Sequence, residues 1–521
     1  MEILFINKKH DGYMSQGIMS LSAVLKQHGH KTSYVDTWSF EEVDNSIKKT
    51  KPDLLAFSSV TGDYSYYNDT NRKLKAKYGI MAVMGGPHAT FHGKNFMESE
   101  SNTFDGACVG EGEFALLDLC KKLEAGEEYD KIPNWIFPSS SNKMVVNPMR
   151  PLIEDLSTLP TPDFSMDTAL SSSEKLVFWF HRGCPYKCTY CMNHAWNKMY
   201  KKVDEREGTF RKVVRAPNPA YCVEVIKKTL SLSDAGSVKS ILIADDTFGG
   251  NIKWLAEFCE IYKKEINIPW DTHLYPMMIT ENRISLMAEA GCRTALIAIE
   301  SGNEKVREKI LKRPMSNKLI IDGAKIIHDH GMSMNIQNIL LLPGETLATA
   351  LDTFNLNVKC KPEIATASKF QPYPGVELTD YSITEGYLKP GDFEDDIPQD
   401  FHWTSVLDFS YLPKKDYNKI LNLHNMFTFG TYFTRLRFLV YFLMQFPNGI
   451  MHHHIDNMAR KVISHRNDIK ASKFKIFLIF IYNFFKSSNI KETIKKSRII
   501  MNKLDKKKKI QSSTRPVVSE F

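Results

Sequence analysis

The chain twice settles into one rhythm: a short apolar run, a Gly- or Ser-rich turn, then an amphipathic stretch. In residues 1–125 the apolar runs are "EILFIN", "TSYVDTW", "DLLAFSSV", "IMAVMGG" and "GACVG". The first helical stretch, "GIMSLSAVLKQHG", ends at Gly29. Parallel strands are covered on both faces and read as near-continuous apolar runs, so repeated βα units predict a doubly wound α/β domain. Its ligand loops should lie at the carboxyl ends of the strands, here "SSVTGDY", "GGPHAT" and "GEGE". The rhythm pauses over 126–175 at a hairpin-like "NWIFPSSSNKMVVNP" and a Pro-rich "RPLIEDLSTLPTPDF". It resumes with "KLVFWF", "SILIADDTF", "WDTHLYPM", "TALIAIESGN", "MNIQNILLLPGET" and "IATASKFQPYPG". Six such units predict a partial barrel with its active-site loops at the strands' C-terminal ends. A chain of 521 residues needs more than one core. The expected division is a doubly wound domain at 1–130, a connector at 131–175 and the barrel at 176–390. A helical region at 391–485 and a basic tail at 486–521 follow.

Nine cysteines are scattered along the chain and only three cluster: Cys184, Cys188 and Cys191 in "GCPYKCTYCMNH". The odd number and the strand-like start argue against a secreted disulfide scaffold and for a reducing cytoplasm. Two metal readings fit the spacing. With His194 the three thiols make a closed tetrahedral zinc site. Without it they make a three-thiolate [4Fe–4S] site with one iron left open. The loop follows the first barrel strand, at the catalytic end of such a fold, which is a poor place for a purely structural clamp.

The C-x3-C-x2-C loop, with Tyr190 before its third cysteine, resembles that of the radical S-adenosylmethionine (radical SAM) superfamily. "DDTF" (245–248), "ESGN" (300–303) and "LPGE" (342–345) stand at later strand ends, as that superfamily's cofactor motifs do. The resemblance implies a [4Fe–4S] cluster on Cys184, Cys188 and Cys191, and a soluble one-electron donor such as a flavodoxin or ferredoxin. It puts Asp245 and Asp246 near the methionine amino group of S-adenosylmethionine, Glu300 and Ser301 near its ribose and methionine groups, and Gly344 and Glu345 on the adenine side. The superfamily often has Gly-Gly-Glu at the second strand, where this chain has "ADDTF". The bland alternative for each acid is a helix N-cap at a strand end.

A doubly wound domain ahead of a radical barrel resembles the cobalamin-binding members of the superfamily. Cobalamin domains related to methionine synthase carry D-x-H-x-x-G, then S-x-L, then G-G. With Gly17 as the first glycine, Gly12 takes the D position and Met14 the H position. Ser59 and Thr61 fall on S-x-L, and Gly85–Gly86 on G-G. The spacing survives and the cobalt-ligating histidine does not. Ser59 and Thr61 would hydrogen-bond the nucleotide tail, and Gly85 and Gly86 would let backbone approach it. Met14 is a weak thioether donor, so cobalamin is expected to bind with its own base displaced and no protein histidine on cobalt. The alternative is a domain that keeps the loops and no cofactor.

Residues 486–521 hold eleven Lys or Arg and three acids, which accounts for the whole formal charge of +8. The neutral remainder shows no footprint for nucleic acid. "FLVYFLMQF" (438–446) and "FKIFLIFIYNFFK" (474–486) are too short to span a membrane. They are expected to pack on the barrel. Peripheral contact with an anionic membrane through the basic C-terminal segment is the alternative, and it suits a lipid-like substrate. The family resemblance implies cobalamin-dependent methylation of an unactivated carbon of a small-molecule or lipid-like substrate. Radical oxidative cyclisation, as in the anaerobic magnesium-protoporphyrin monomethyl ester cyclase, is the second expectation, and a non-catalytic iron–sulfur or cobalamin protein the third. Methylthio transfer is disfavoured, because residues 1–150 offer only Cys108 and Cys120 for a second cluster.

Overall fold

The computed structural model describes residues 1–8, 15–138, 143–167, 170–208, 212–234, 236–390, 405–446 and 460. The apolar runs of the first block become β1 (Glu2–Asn7), β2 (Lys31–Asp36), β3 (Leu54–Ser58), β4 (Met81–Gly85) and β5 (Gly106–Cys108). Between and after them come α1 (Gln16–Gln27), α2 (Phe40–Thr50), α3 (Tyr64–Tyr78), α4 (Gly86–Glu98) and α5 (Glu113–Ala125). All five strands run parallel in the order β2-β1-β3-β4-β5. One face packs under α1 and α5 through Ile3, Phe5, Val24 and Leu116. The other packs under α2, α3 and α4 through Leu4, Ile6, Val43 and Phe96. Strand order reverses between β1 and β3, so the crevice for a ligand opens there, beside Gly85 and Gly86.

The expected hairpin forms as β6 (Trp135–Pro138) and β7 (Met144–Val146), but it is no free connector. Antiparallel pairing of β6 with β5 extends the first sheet to seven strands. Trp135 and Phe137 stack 5.3 Å apart in its core.

The second sheet has six parallel strands: β8 (Lys175–Phe178), β9 (Ser240–Ile243), β10 (Trp270–Leu274), β11 (Cys292–Glu300), β12 (Ser333–Leu340) and β13 (Ile364–Lys369). They lie in sequence order with open edges at β8 and β13, a half-barrel. Helices α6 (Met192–Glu207), α7 (Pro219–Leu230), α8 (Ile252–Glu265), α9 (Glu281–Glu289), α10 (Asn317–Asp329) and α11 (Leu347–Cys360) alternate with the strands. Local signals set several starts: Asn218, Asn251 and Ser316 cap α7, α8 and α10 by accepting first-turn N–H bonds. Then come α12 (Glu377–Thr384), α13 (Lys414–His424), α14 (Phe427–Tyr432) and α15 (Arg437–Leu443). Among these α14 lies on β13, where the Thr428 hydroxyl donates to Ala365 O at 2.8 Å. The apolar stretch 474–486 and the basic tail lie outside the described residues.

Candidate active site where the two sheets meet

The cysteine loop leaves β8 and ends at Cys191, the residue that opens α6. Cys188 is buried, and Cys184 and Cys191 are half-buried. Burial pushes the Cys184 thiol up to about 12 and the Cys191 thiol up to about 11. Cys188 packs against Tyr275, Met278 and Met315, and Tyr186 stacks on Tyr275 at 3.5 Å between ring centres. The thioethers and aromatic rings beside Cys188, with three soft thiol donors in one loop, suit a metal–sulfur group. Among the described residues no three His, Cys, Asp or Glu side chains are placed to hold one metal ion. His194 Nε2 stands 3.4 Å from the Glu377 carboxylate. His194 thus has a carboxylate neighbour outside the cysteine loop.

The two acids after β9 diverge. Asp245 is fully buried, and its oxygens accept from Phe180 N at 2.5 Å and meet His181 Nδ1 at 2.7 Å. Both its oxygens are thus engaged in the seam between β8 and β9. Asp246 is exposed, accepts from Asn193 Nδ2 at 2.9 Å and faces a cavity.

Two later strand ends carry left-handed backbone on residues other than glycine: Glu300 (φ 69°) and Leu341 (φ 59°). Such conformations cost on the order of 1–3 kcal/mol and cluster at functional sites. Glu300 is buried and accepts from the Tyr190 hydroxyl at 2.7 Å; burial raises its carboxyl. Ser301 beside it is fully buried, and its carbonyl accepts from Arg307 at 2.5 Å. Gly344 has φ 74°. The Glu345 carboxylate accepts from Leu341 N, its Oε1 has no hydrogen-bond partner, and burial pushes the group up to about 8.

The Glu345 shift has a sign that can be measured. Between the usual carboxyl range near pH 4.5 and pH 8 the folded chain holds a proton that the unfolded chain has lost. Stability should therefore fall as pH rises across that window. Glu345→Gln cannot titrate, and it should flatten the pH dependence by a few kcal/mol in urea unfolding between pH 5 and pH 8.5. A mutant curve parallel to wild type would contradict this.

A cavity of about 600 Å³ lies between the two sheets, walled by Gly17, Gly85 and Cys108 on one side and by Trp179, Asn193 and Asp246 on the other. A Cβ at Gly17 would meet no protein atom within 4 Å, and one at Gly85 none closer than 3.9 Å. Their missing side chains enlarge the cavity, which fits a bulky group lying against that wall. Gly86 is different. With φ 88°, its Cβ would stand 2.9 Å from Ser58 Oγ and the Ser59 backbone, so it serves close packing of two loops. Ser59 and Thr61 are buried behind the wall, the Ser59 hydroxyl donating to Val60 O at 2.8 Å, while Ser58 faces the cavity. Met14, with Gly12 and His10, lies outside the described residues.

The seam itself is charged. Arg182 reaches Glu111 at 2.9 Å and Glu113 at 2.5 Å, Arg215 reaches Glu111 at 2.9 Å, and Ser20 donates to Glu113 at 2.9 Å. The "GEGE" loop lines the cavity, and its two carboxylates also tie the sheets together.

Two family models match the chain: the radical SAM superfamily over residues 180–356, and the B12-binding domain over residues 9–119. The chain belongs to the cobalamin-binding radical SAM family. The anaerobic magnesium-protoporphyrin IX monomethyl ester cyclase of Rubrivivax gelatinosus is 25% identical over 416 residues, 73% of this chain and 69% of its own length. The cytidylyl-2-hydroxyethylphosphonate methyltransferase of Streptomyces wedmorensis is 20% identical over 441 residues, 72% of this chain and 78% of its own. In fold, the cobalamin-dependent S-adenosylmethionine radical enzyme OxsB, with aqua-cobalamin and S-adenosylmethionine bound, superposes at a TM-score of 0.61 and 14% identity. That match covers 100% of this chain and 82% of that one.

This radical SAM chain is thus a cobalamin-dependent enzyme whose cofactors are a [4Fe–4S] cluster, S-adenosylmethionine and cobalamin. Its relatives include both cyclases and methyltransferases. Residues that its sequence did not single out are Arg182, Arg215, His181 and Arg313. Their carboxylate and thiol partners lie 64 to 125 positions away, so no local pattern marks them.

Proposed function

We propose that the enzyme methylates an unactivated carbon of a small-molecule or lipid-like substrate, with Cys184, Cys188 and Cys191 as the cluster's ligands. One observation carries the reading: a single cavity runs from the Gly17 and Gly85 wall of the B12-binding domain to Asn193 and Asp246 beside the cysteine loop. When bound, the cluster supplies the electron that cleaves S-adenosylmethionine to a 5′-deoxyadenosyl radical, and cobalamin carries the methyl group. In this reading Asp246 and Asn193, at the cavity, receive the methionine end, and Glu300, held by Tyr190, the ribose. Glu345 offers the adenine side a carboxyl with one free oxygen. Asp245, committed to His181 and Phe180, acts by fixing the β8–β9 seam.

Anaerobic reconstitution with S-adenosylmethionine, cobalamin and a low-potential donor of the flavodoxin or ferredoxin class tests the reading. S-adenosylhomocysteine formed together with 5′-deoxyadenosine supports methyl transfer. 5′-Deoxyadenosine alone sinks it in favour of oxidative cyclisation, which has the likeness to the Rubrivivax cyclase on its side.

The cavity wall makes a second expectation. Gly17 lies in the first turn of α1, where leucine costs the helix nothing relative to glycine. Gly17→Leu should leave the cobalamin-free protein as stable as wild type and weaken cobalamin binding at least about tenfold, about 1.4 kcal/mol. Unchanged cobalamin uptake in that variant would remove Gly17 from the site.

Among the described residues no helix is long and apolar enough to cross a membrane. Phe438, Phe442 and Phe446 are exposed along α15 and just past its end, ahead of the basic segment. Peripheral membrane contact predicts sedimentation with anionic vesicles that weakens with salt and with truncation at 486, by roughly 1 kcal/mol for each basic residue near the surface. Binding indifferent to both would refute it.

A further inference from the structure

Arg313 is a buried cation that the scheme above does not use. It follows the π-helical turn Val306–Ile310, and only 3% of it is exposed. Its Nη1 donates to Cys188 Sγ at 3.3 Å and to the Tyr190 hydroxyl at 3.1 Å. Its Nη2 donates to Ala298 O, and the guanidinium lies 4.4 Å over the Tyr275 ring. Among the described residues it makes no direct ion pair with a carboxylate. Glu300 is reached only through Tyr190, whose hydroxyl accepts from Arg313 and donates to Glu300.

A guanidinium this deep is costly unless an anion compensates it. Of the groups that touch it, the Cys188 sulfur is the one that becomes an anion when it binds metal. Hydrogen bonds to ligating sulfurs and net charge are two of the levers that set an iron–sulfur potential. We propose that Arg313 is a positioning residue for the cluster: it orients Cys188 as a thiolate ligand and raises the cluster's reduction potential. The inference rests on the reading of Cys184, Cys188 and Cys191 as ligands. The step concerned is a one-electron reduction. One electron passes from an external one-electron donor to the oxidised [4Fe–4S]²⁺ cluster, giving [4Fe–4S]⁺ and oxidising the donor by one electron. The site gains one negative charge, which a fixed positive charge against a ligating sulfur stabilises.

A purely architectural Arg313, tying Ala298 and Tyr275 together, would leave the potential alone. The test therefore reads the potential in the full chain after anaerobic reconstitution with iron and sulfide, titrating with dithionite and following the reduced cluster by electron paramagnetic resonance. Arg313→Gln keeps a donor and removes the charge. Arg313→Lys keeps the charge and loses the planar fork. Arg313→Gln is expected to shift the one-electron equilibrium at least tenfold toward the oxidised cluster, about 59 mV downward, at wild-type iron content. Arg313→Lys should fall between it and wild type. A loaded Arg313→Gln cluster at the wild-type potential overturns the proposal. A folded Arg313→Gln protein that takes up no cluster supports the orienting role. If that variant does not fold by circular dichroism, Arg313→Met, which also removes the charge and fills the buried site with an apolar chain, decides, and a wild-type potential there overturns the proposal. Should Cys188→Ala still carry the cluster, the ligand reading itself has failed. Should it lose the cluster while Arg313→Gln keeps the wild-type potential, only the role of Arg313 has failed.

Discussion

Cys188→Ala should give a folded protein that assembles no [4Fe–4S] cluster and releases no 5′-deoxyadenosine above background. The expected loss of chemistry is complete, because two thiolates do not hold a four-iron cube and no other cysteine stands in the loop. The expected loss of stability is small. Cys188 is 5% exposed beside Met278 and Met315, and removing one buried sulfur from a pocket that flexible methionines can fill costs on the order of 1 kcal/mol. Broad absorbance near 400 nm, iron content and product analysis check the chemistry, and circular dichroism checks the fold. His194→Ala is the matched control. With Glu377 as its neighbour, His194 should be dispensable for iron uptake. Stoichiometric zinc that disappears in His194→Ala would return the loop to a structural role.

What was legible from the chain, and what was not, follows from the range of the interactions. Runs such as "DLLAFSSV" and "TALIAIESGN" announce parallel strands because both faces of each are buried, and β3 and β11 form there. The hairpin "NWIFPSSSNKMVVNP" has a local cause, a turn between two apolar runs. Its membership of the first sheet depends on β6 meeting β5, which no local pattern encodes. Side-chain parity at strand ends was equally hidden. Asp245 and Asp246 are neighbours on the chain, and successive side chains leave a strand on opposite sides. One therefore turns to His181 and the other to the cavity. The same one-residue step separates Ser58, which faces the cavity, from Ser59, which does not. Glu111 and Glu113 were visible as acids in a ligand loop. That they answer Arg182 and Arg215 across the seam could be known only once the two sheets were brought together.

That seam carries the other large expected effect. Glu111→Ala should destabilise the chain by about 3–5 kcal/mol, the cost of breaking a buried ion pair by removing one partner. Glu111 is well buried, as is Arg215, and Arg182 is less so. Its carboxylate accepts from Arg182 and Arg215, and from Ile153 N at 2.8 Å. Without it Arg215 keeps Ile153 O as an acceptor but has no ion-pair partner among the described residues, and Arg182 keeps Glu113. The effect should reach the cofactors, because Gly110 and Gly112 of the same loop line the cavity. Cobalamin retention on a desalting column should fall together with the unfolding midpoint. The acid side has a definite sign. Burial alone would raise the Glu113 carboxyl, but Arg182 more than offsets this and holds it below its usual range. A depressed carboxyl contributes stability above the unfolded value near pH 4.5, and that contribution is lost as pH falls through the lower folded value. Wild type should therefore lose seam stability, and with it cobalamin, below about pH 4.5, the range where unfolded carboxyls begin to take up protons. Because Glu111→Ala leaves the Arg182–Glu113 pair in place, the mutant should keep that acid limb from a lower starting stability. A double variant lacking both acids should lose the limb. Urea unfolding of the three proteins between pH 3.5 and pH 7 decides it. A Glu111→Ala midpoint within error of wild type would mean that the two arginines are satisfied elsewhere and the clasp holds nothing.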